Sequence, residues 1–241
     1  MVGRKGEIQV RLRPMIFVFI CLCSSSLLWS ARGQVIIPSE YDGFLYKGHS
    51  IKPGSVIIEA FFDPLCPDSR DSWPYLKEII RYYTPHRVSL IVHPFALPYH
   101  DNSFMACRAL HIANKLNASA TYPLLENLFK YQVDEKFYNE PTFHSSRASV
   151  VNKMTKLAAK VLGNSSLPGL ESGFSDRETD VATRISFKYG CSRAVTGTPF
   201  FLVNGFAMPN PGSPIDYNGW RSILDPLVGT TKGDQASFSI L

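Results

Sequence analysis

The sequence is short of charge and of cysteine, and beyond its first thirty residues it has no apolar run long enough to cross a bilayer. Only 19% of its 241 residues are charged, and five are cysteine. Nor does any period repeat along it: 17 prolines and 16 glycines are spread through a chain that is 45% hydrophobic. These absences exclude collagen, coiled coils and low-complexity scaffolds, and leave the composition of one ordinary globular domain. A basic footprint is missing as well. The formal charge of +5 comes mostly from residues 1–33, where Arg4, Lys5, Arg11, Arg13 and Arg32 face only Glu7; the rest of the chain holds 20 basic and 19 acidic residues. That balance gives no electrostatic ground for a nucleic-acid partner.

What is present begins with the order of residues 1–33: a basic stretch to Pro14, an apolar run from Met15 to Trp29 interrupted only by Ser24–Ser26, then Ala31-Arg32-Gly33. This is the layout of a secretory signal peptide, with the mature chain starting near Gln34. An uncleaved anchor is the competing reading, but the run is shorter than the ~20 apolar residues a spanning helix needs, so no stable membrane insertion is expected after cleavage. The remaining plan is one domain over 34–228 and a flexible tail over 229–241. The chain finishes Ser239-Ile240-Leu241 with no Lys/His-Asp-Glu-Leu retention signal, which favours secretion or a post-Golgi compartment.

Secretion changes what the cysteines mean. Cys21 and Cys23 leave with the signal, so Cys66, Cys107 and Cys191 remain, an odd number in an oxidising compartment. Two can pair, and one is left as a candidate reactive thiol. Zinc is disfavoured because no two of these cysteines lie close in sequence and His93, His100 and His111 lack ligand-pair spacing; no metal is expected. Asn117-Ala118-Ser119 and Asn164-Ser165-Ser166 are glycosylation acceptors, each at the polar end of a predicted helix.

Along the chain, Phe44–Tyr46 offers a short strand and Ser55–Phe62 a buried one, ended by Asp63-Pro64. A helix opens at Cys66-Pro67-Asp68-Ser69 and runs to about Tyr83, with Leu76, Ile79, Ile80 and Tyr83 inward. Val88–Val92 is a second buried strand, parallel to the first in a βαβ unit. Residues 101–190 read as helices: Asp101–Leu116, Tyr122–Tyr131, Ser146–Leu162 and a longer one over Gly169–Tyr189. Thr198–Val203 is a strand joined by the Asn204-Gly205 hairpin dipeptide to Phe206–Met208, and Tyr217–Leu227 is the last helix.

This order, with Phe61–Ser69, Pro74 and Val195–Gly205 on the corresponding elements, resembles the thioredoxin superfamily. The similarity is to its DsbA-like branch, which carries a helical insertion, here about 101–190. The expected fold is therefore α/β, thioredoxin-like, over about Pro53–Val228. Physically, Cys66 sits where a strand hands over to a helix, near unpaired N–H groups and the positive end of the dipole, which favours the thiolate nucleophile. Ser69, one turn on, can donate its hydroxyl to that sulfur, while Asp68 opposes ionisation by like charge. The resemblance implies a cis Pro199 beside the cysteine, leaving the Thr198 backbone free to pair with a substrate strand.

The departures limit the chemistry. Ser69 stands where the family's oxidoreductases have a second cysteine, so a mixed disulfide at Cys66 has no neighbour to resolve it. The family's buried acid falls on Ala60, with Glu59 one residue earlier on the opposite face, which puts the usual proton relay in question. Cys107 and Cys191 are open between a structural disulfide, two buried free thiols and a resolving role. His100 reads as a cap or solvent-facing residue with no catalytic part. The sequence therefore points to monothiol exchange at Cys66, isomerase-like or glutathione-linked, with protein or peptide thiols and disulfides as partners. No bound cofactor is expected, and glutathione enters only as a co-substrate. Two alternatives stand beside it: a client-binding module without turnover, and a kappa-type glutathione transferase-like enzyme.

Overall fold

A computed structural model describes residues 41–229, apart from 48, 84, 133 and 135. The expected signal segment 1–33 with Cys21 and Cys23, the expected start near Gln34, and the tail after 229 lie outside these residues.

Alternation along β2 (Val56–Phe62) organises the interior. Val56, Ile58, Ala60 and Phe62 enter one apolar cluster, and Phe61 enters a second, smaller one on the other face. Its parallel neighbour β3 (Val88–Pro94) runs in register from Val56 opposite Val88 to Phe62 opposite Pro94. The crossover is α1 (Pro67–Tyr82), which contains Pro74 and buries Leu76, Ile79 and Ile80. Three short antiparallel strands complete a sheet of order β1-β3-β2-β4-β5: β1 (Phe44–Leu45) on β3, β4 (Phe200–Val203) on β2, and β5 (Phe206–Ala207) on β4. Asn204 and Gly205 both take positive φ, 49° and 84°, as the tightest hairpin turn requires. The strand expected from Thr198 starts two residues later, because Pro199 has no N–H for the ladder; the Thr198–Pro199 peptide is cis.

The insertion holds α2 (Ser103–Leu116), α3 (Thr121–Tyr131), a four-residue α4 (Asn139–Thr142), α5 (Arg147–Leu162), α6 (Leu167–Gly173) and α7 (Arg177–Ser192). The single helix expected over Gly169–Tyr189 is thus two. A Cβ at Gly173 would lie 2.5 Å from Ile112, so this residue is where α6 closes onto α2. The chain then turns, and Asp176 caps α7 by accepting the Glu178 N–H at 2.9 Å. The buried Arg108 of α2 donates to the Gly173 and Asp176 carbonyls, at 3.4 and 2.7 Å, and so satisfies acceptors the break exposes. Finally α8 (Tyr217–Gly229) lays Trp220 and Leu224 into the larger cluster, against the face of the sheet that carries α1. Truncating Phe61 or Phe62 to Ala, fully buried in the two clusters, would cost about 3–5 kcal/mol.

Candidate functional site

Where β2 ends, three residues of turn lead to Cys66, the N-cap of α1, with Pro67 in the first helical position where a missing N–H costs nothing. The Cys66 N–H bonds the Asp63 carbonyl at 3.1 Å. Its own carbonyl accepts from Arg70 N–H at 3.1 Å and from Gln132 Nε2 at 3.2 Å, and the same Gln132 amide bonds the Pro64 carbonyl at 2.8 Å. The thiol is 3% exposed and donates to the Thr198 carbonyl at 3.3 Å.

Two expectations about this thiol are corrected. The Ser69 hydroxyl does not bond the sulfur: it is wholly buried and has no hydrogen-bond partner among the described residues, while the Cys66 S–H is directed across the fold to Thr198. Nor is the Thr198 carbonyl free, since it accepts the Cys66 S–H. The Thr198 hydroxyl is itself buried without a partner among the described residues, leaving one spare hydroxyl on the helix that Cys66 caps and one on the loop before β4.

Asp63, read from sequence only as a strand terminator, builds the floor. It is fully buried and accepts four bonds: Oδ1 from Leu65 N–H at 2.8 Å and Ser103 O–H at 2.5 Å, Oδ2 from Leu97 N–H at 3.0 Å and His100 Nδ1 at 2.9 Å. His100 is therefore not a solvent-facing cap. Its side chain is 22% exposed and held by Asp63 in the wall of a 260 Å³ cavity that includes Leu65 and Pro67, the residues flanking Cys66. A larger groove of 540 Å³, with Leu97, Phe104 and Phe187, opens on its other side. The signal that could have revealed this was the Asx turn: a carboxylate two residues before a free N–H, at a strand end.

Glu59 stands apart. Ala60 lies in the larger core, and Glu59, on the other face, accepts from Tyr189 at 2.6 Å and Tyr41 at 3.0 Å, with His93 Nε2 3.3 Å away as an ion pair. His93 Nδ1 bonds Asp42 at 2.8 Å, Ser186 donates to Asp42 at 2.7 Å, and Ser186 Oγ lies 3.1 Å from His111 Nε2. Burial works against Glu59 ionising, yet His93 and the two tyrosine hydroxyls bring its pKa down to about 2. Burial likewise pulls His93 down, but Asp42 and Glu59 on either side outweigh it and raise its pKa. His111, buried and farther from the carboxylates, drops to about 4. Phe61 stacks on the His93 ring, centroids 4.7 Å apart, and shares its apolar cluster with Cys66. Among the described residues, no hydrogen bond joins this network to the thiol.

Of the other candidates, Cys107 is buried in α2, where burial pushes its thiol pKa well above the ordinary value. Cys191 is on the surface of α7, so the alternative of two buried thiols does not describe it. Neither forms a disulfide: Cys107 faces the core beside Ala106 and Leu110, whereas Cys191 faces outward. Asn117 and Asn164 are both exposed. Among the described residues, no group of three or more His, Cys, Asp or Glu is placed to hold a metal, and no helix is long and apolar enough to cross a membrane.

Comparison with known proteins places this geometry. No curated protein sequence matches the chain significantly. Among solved structures, it is similar to a candidate protein-disulfide isomerase from Pseudomonas syringae, at 18% identity and a TM-score of 0.62, covering 76% of this chain and 98% of that one. BdbD from Bacillus subtilis aligns at 14% identity and a TM-score of 0.57, over 79% and 100% of the two chains. The oxidoreductase NmDsbA1 from N. meningitidis aligns at 14% and 0.54, over 82% and 95%. At these identities the likeness is one of fold, a thioredoxin-like fold of the DsbA type. The thioredoxin family profile matches residues 52–226, nearly all of the described chain, and the protein belongs to the thioredoxin family.

Proposed function

We propose that this protein catalyses thiol-disulfide exchange in the secretory pathway, with Cys66 as a single attacking thiol. The observation that carries the reading is the placement of Cys66 as the α1 N-cap, its S–H on the Thr198 carbonyl, with Ser69 one turn on where a second sulfur would stand. The Cys66 thiolate attacks one sulfur of a client disulfide, forming a Cys66–client disulfide and expelling the other client sulfur as thiolate. A second thiol, from the client or from glutathione, then attacks the client sulfur of that bond. Cys66 leaves as thiolate, a new client disulfide forms, and no net electrons pass. Loss of the Cys66 proton also frees the Thr198 carbonyl to accept an N–H from an extended client segment. Support for the compartment comes from the basic, apolar and small-residue order of residues 1–33, and from exposed acceptors at Asn117 and Asn164.

A second reading, client binding without turnover, draws on the near-complete burial of the thiol. Insulin reduction separates the two. Wild type should show little dithiol-type turnover, while Ser69→Cys, which sets two sulfurs one helical turn apart, should exceed it well and lose the gain in Cys66→Ala/Ser69→Cys. Efficient wild-type turnover that disappears in Cys191→Ala would make Cys191 the resolving thiol and end the monothiol reading.

A further inference from the structure

The helix α5 carries Arg147, Lys153, Lys156 and Lys160 and no carboxylate. Positions 153, 156, 157 and 160 are spaced three and four apart, so the three lysines share one face with Leu157, a like-charge arrangement that opposes the helix it sits on. None of the three is in an ion pair among the described residues. Lys136 joins them from the segment after α3, its ammonium 4.8 Å from the Tyr131 ring and 3.2 Å from Asp134, its one ion-pair partner among the described residues. Lys160 stands over the other approach to the same ring, at 6.0 Å. Together these side chains rim a groove of 480 Å³ whose apolar lining is Tyr131, Phe137, Pro141 and Leu157. Its volume is that of a ligand site, and its chemistry is an excess of cations over an apolar base.

This groove lies next to the cavity that Leu65 and Pro67, the residues flanking Cys66, help to line. Phe137 lines both it and the cavity beside Cys66, and Gln132, one residue past α3, is bonded to the Cys66 and Pro64 carbonyls. We propose that the groove binds an acidic, partly apolar segment of the polypeptide whose disulfide is presented to Cys66. This identification of the client's chemistry rests on the exchange function proposed above. Charge complementarity selects the occupant: three ammonium groups with no ion pair among the described residues call for carboxylates, and the apolar lining calls for side chains between them. A nucleic-acid strand fits less well, because beyond residue 33 the chain is charge-balanced and offers no extended basic track along which a phosphate backbone could run.

The test uses a cysteine-free peptide, Glu-Leu-Glu-Glu-Phe-Glu with a neutral dye at one end, titrated into the full chain and followed by fluorescence anisotropy. Wild type should bind it, and its glutamine counterpart should bind at least tenfold more weakly. The triple variant Lys153→Gln/Lys156→Gln/Lys160→Gln should lose about tenfold, the sum expected of three exposed charge pairs, while Lys→Arg at the same positions should keep the affinity. These lysines are exposed, and unchanged thermal melting checks that each variant folds. Equal binding of both peptides, undiminished binding by the triple variant, or an oligonucleotide that competes as well as the peptide overturns the proposal. The probe has no thiol, so its failure to bind counts against the groove alone. A version of the peptide carrying a disulfide that binds equally well yet forms no mixed disulfide at Cys66 would instead sink the exchange reading and leave the acidic-segment site standing.

Discussion

Two carboxylates are buried within five residues of one another, Glu59 in β2 and Asp63 just beyond it, and the fold accommodates them in different ways. Asp63 is surrounded by donors that tie one turn to the next: two backbone N–H groups, a serine and His100. Glu59 is matched by tyrosine hydroxyls and the imidazole of His93, itself shared with Asp42. The contrast separates shape from charge. Asp63 fixes the strand end, the start of the insertion and the loop leading to Cys66 as one unit. Glu59 belongs to an electrostatic network that Phe61 screens from the thiol.

Breaking the Asp63 side should have the largest effect. Asp63→Ala leaves four donors without their acceptor, and denaturant unfolding should show a loss of about 3–5 kcal/mol. A loss below about 1 kcal/mol would mean the turn does not depend on those bonds. Glu59→Gln should cost less, about 1–3 kcal/mol, and should leave the rate of Cys66 alkylation unchanged. A changed rate, and a faster one above all because a negative charge is lost, would show that Phe61 does not screen the network.

The same variant sharpens the pH behaviour. A Glu59 pKa of about 2 in the fold, below its ordinary 4.5, contributes stability above 4.5 that is lost as pH falls toward 2. Glu59→Gln should flatten that acid limb. His93, raised, contributes below its ordinary 6.5 and loses this as pH rises through its folded value; His111, at about 4, contributes above 6.5 and loses it on acidification. Imidazole NMR at pH 5.5 should therefore find His93 protonated and His111 neutral, and the reverse order would refute the network. The smallest effect is expected at Ser69. Its hydroxyl is buried without a partner, so Ser69→Ala should be neutral or stabilising by up to about 1 kcal/mol, and a clear destabilisation would reveal a bond the structure does not contain.

How far the molecule was legible in its sequence follows the range of the interactions. The βαβ unit could be read because β2 and β3 are continuous apolar runs and α1 has a clear inward stripe, and the hairpin because Asn204-Gly205 carries its own turn chemistry. The Cys66 position followed from the same local pattern. The role of Asp63 did not, because its partners Leu97, His100 and Ser103 are 34 to 40 residues away and no periodicity announces them. The break between α6 and α7 was hidden for a similar reason: Gly173 and Asp176 are ordinary helix-flanking residues until Ile112 and Arg108 of α2 close on them. The lost Ser69 contact has the opposite cause. One-turn spacing makes it locally reasonable, yet the thiol is oriented by Thr198, 132 residues from Cys66, and the Ser69 hydroxyl has no partner among the described residues.

The most direct test of the monothiol account is mass spectrometry of the intact protein after incubation with a disulfide-bonded peptide and no added thiol. The account predicts a single peptide adduct on Cys66, absent in Cys66→Ala, that persists until glutathione is added and then leaves as a new disulfide. An adduct confined to the exposed Cys191, or one on Cys66 that decays by itself into an internal Cys66–Cys191 bond, would contradict it.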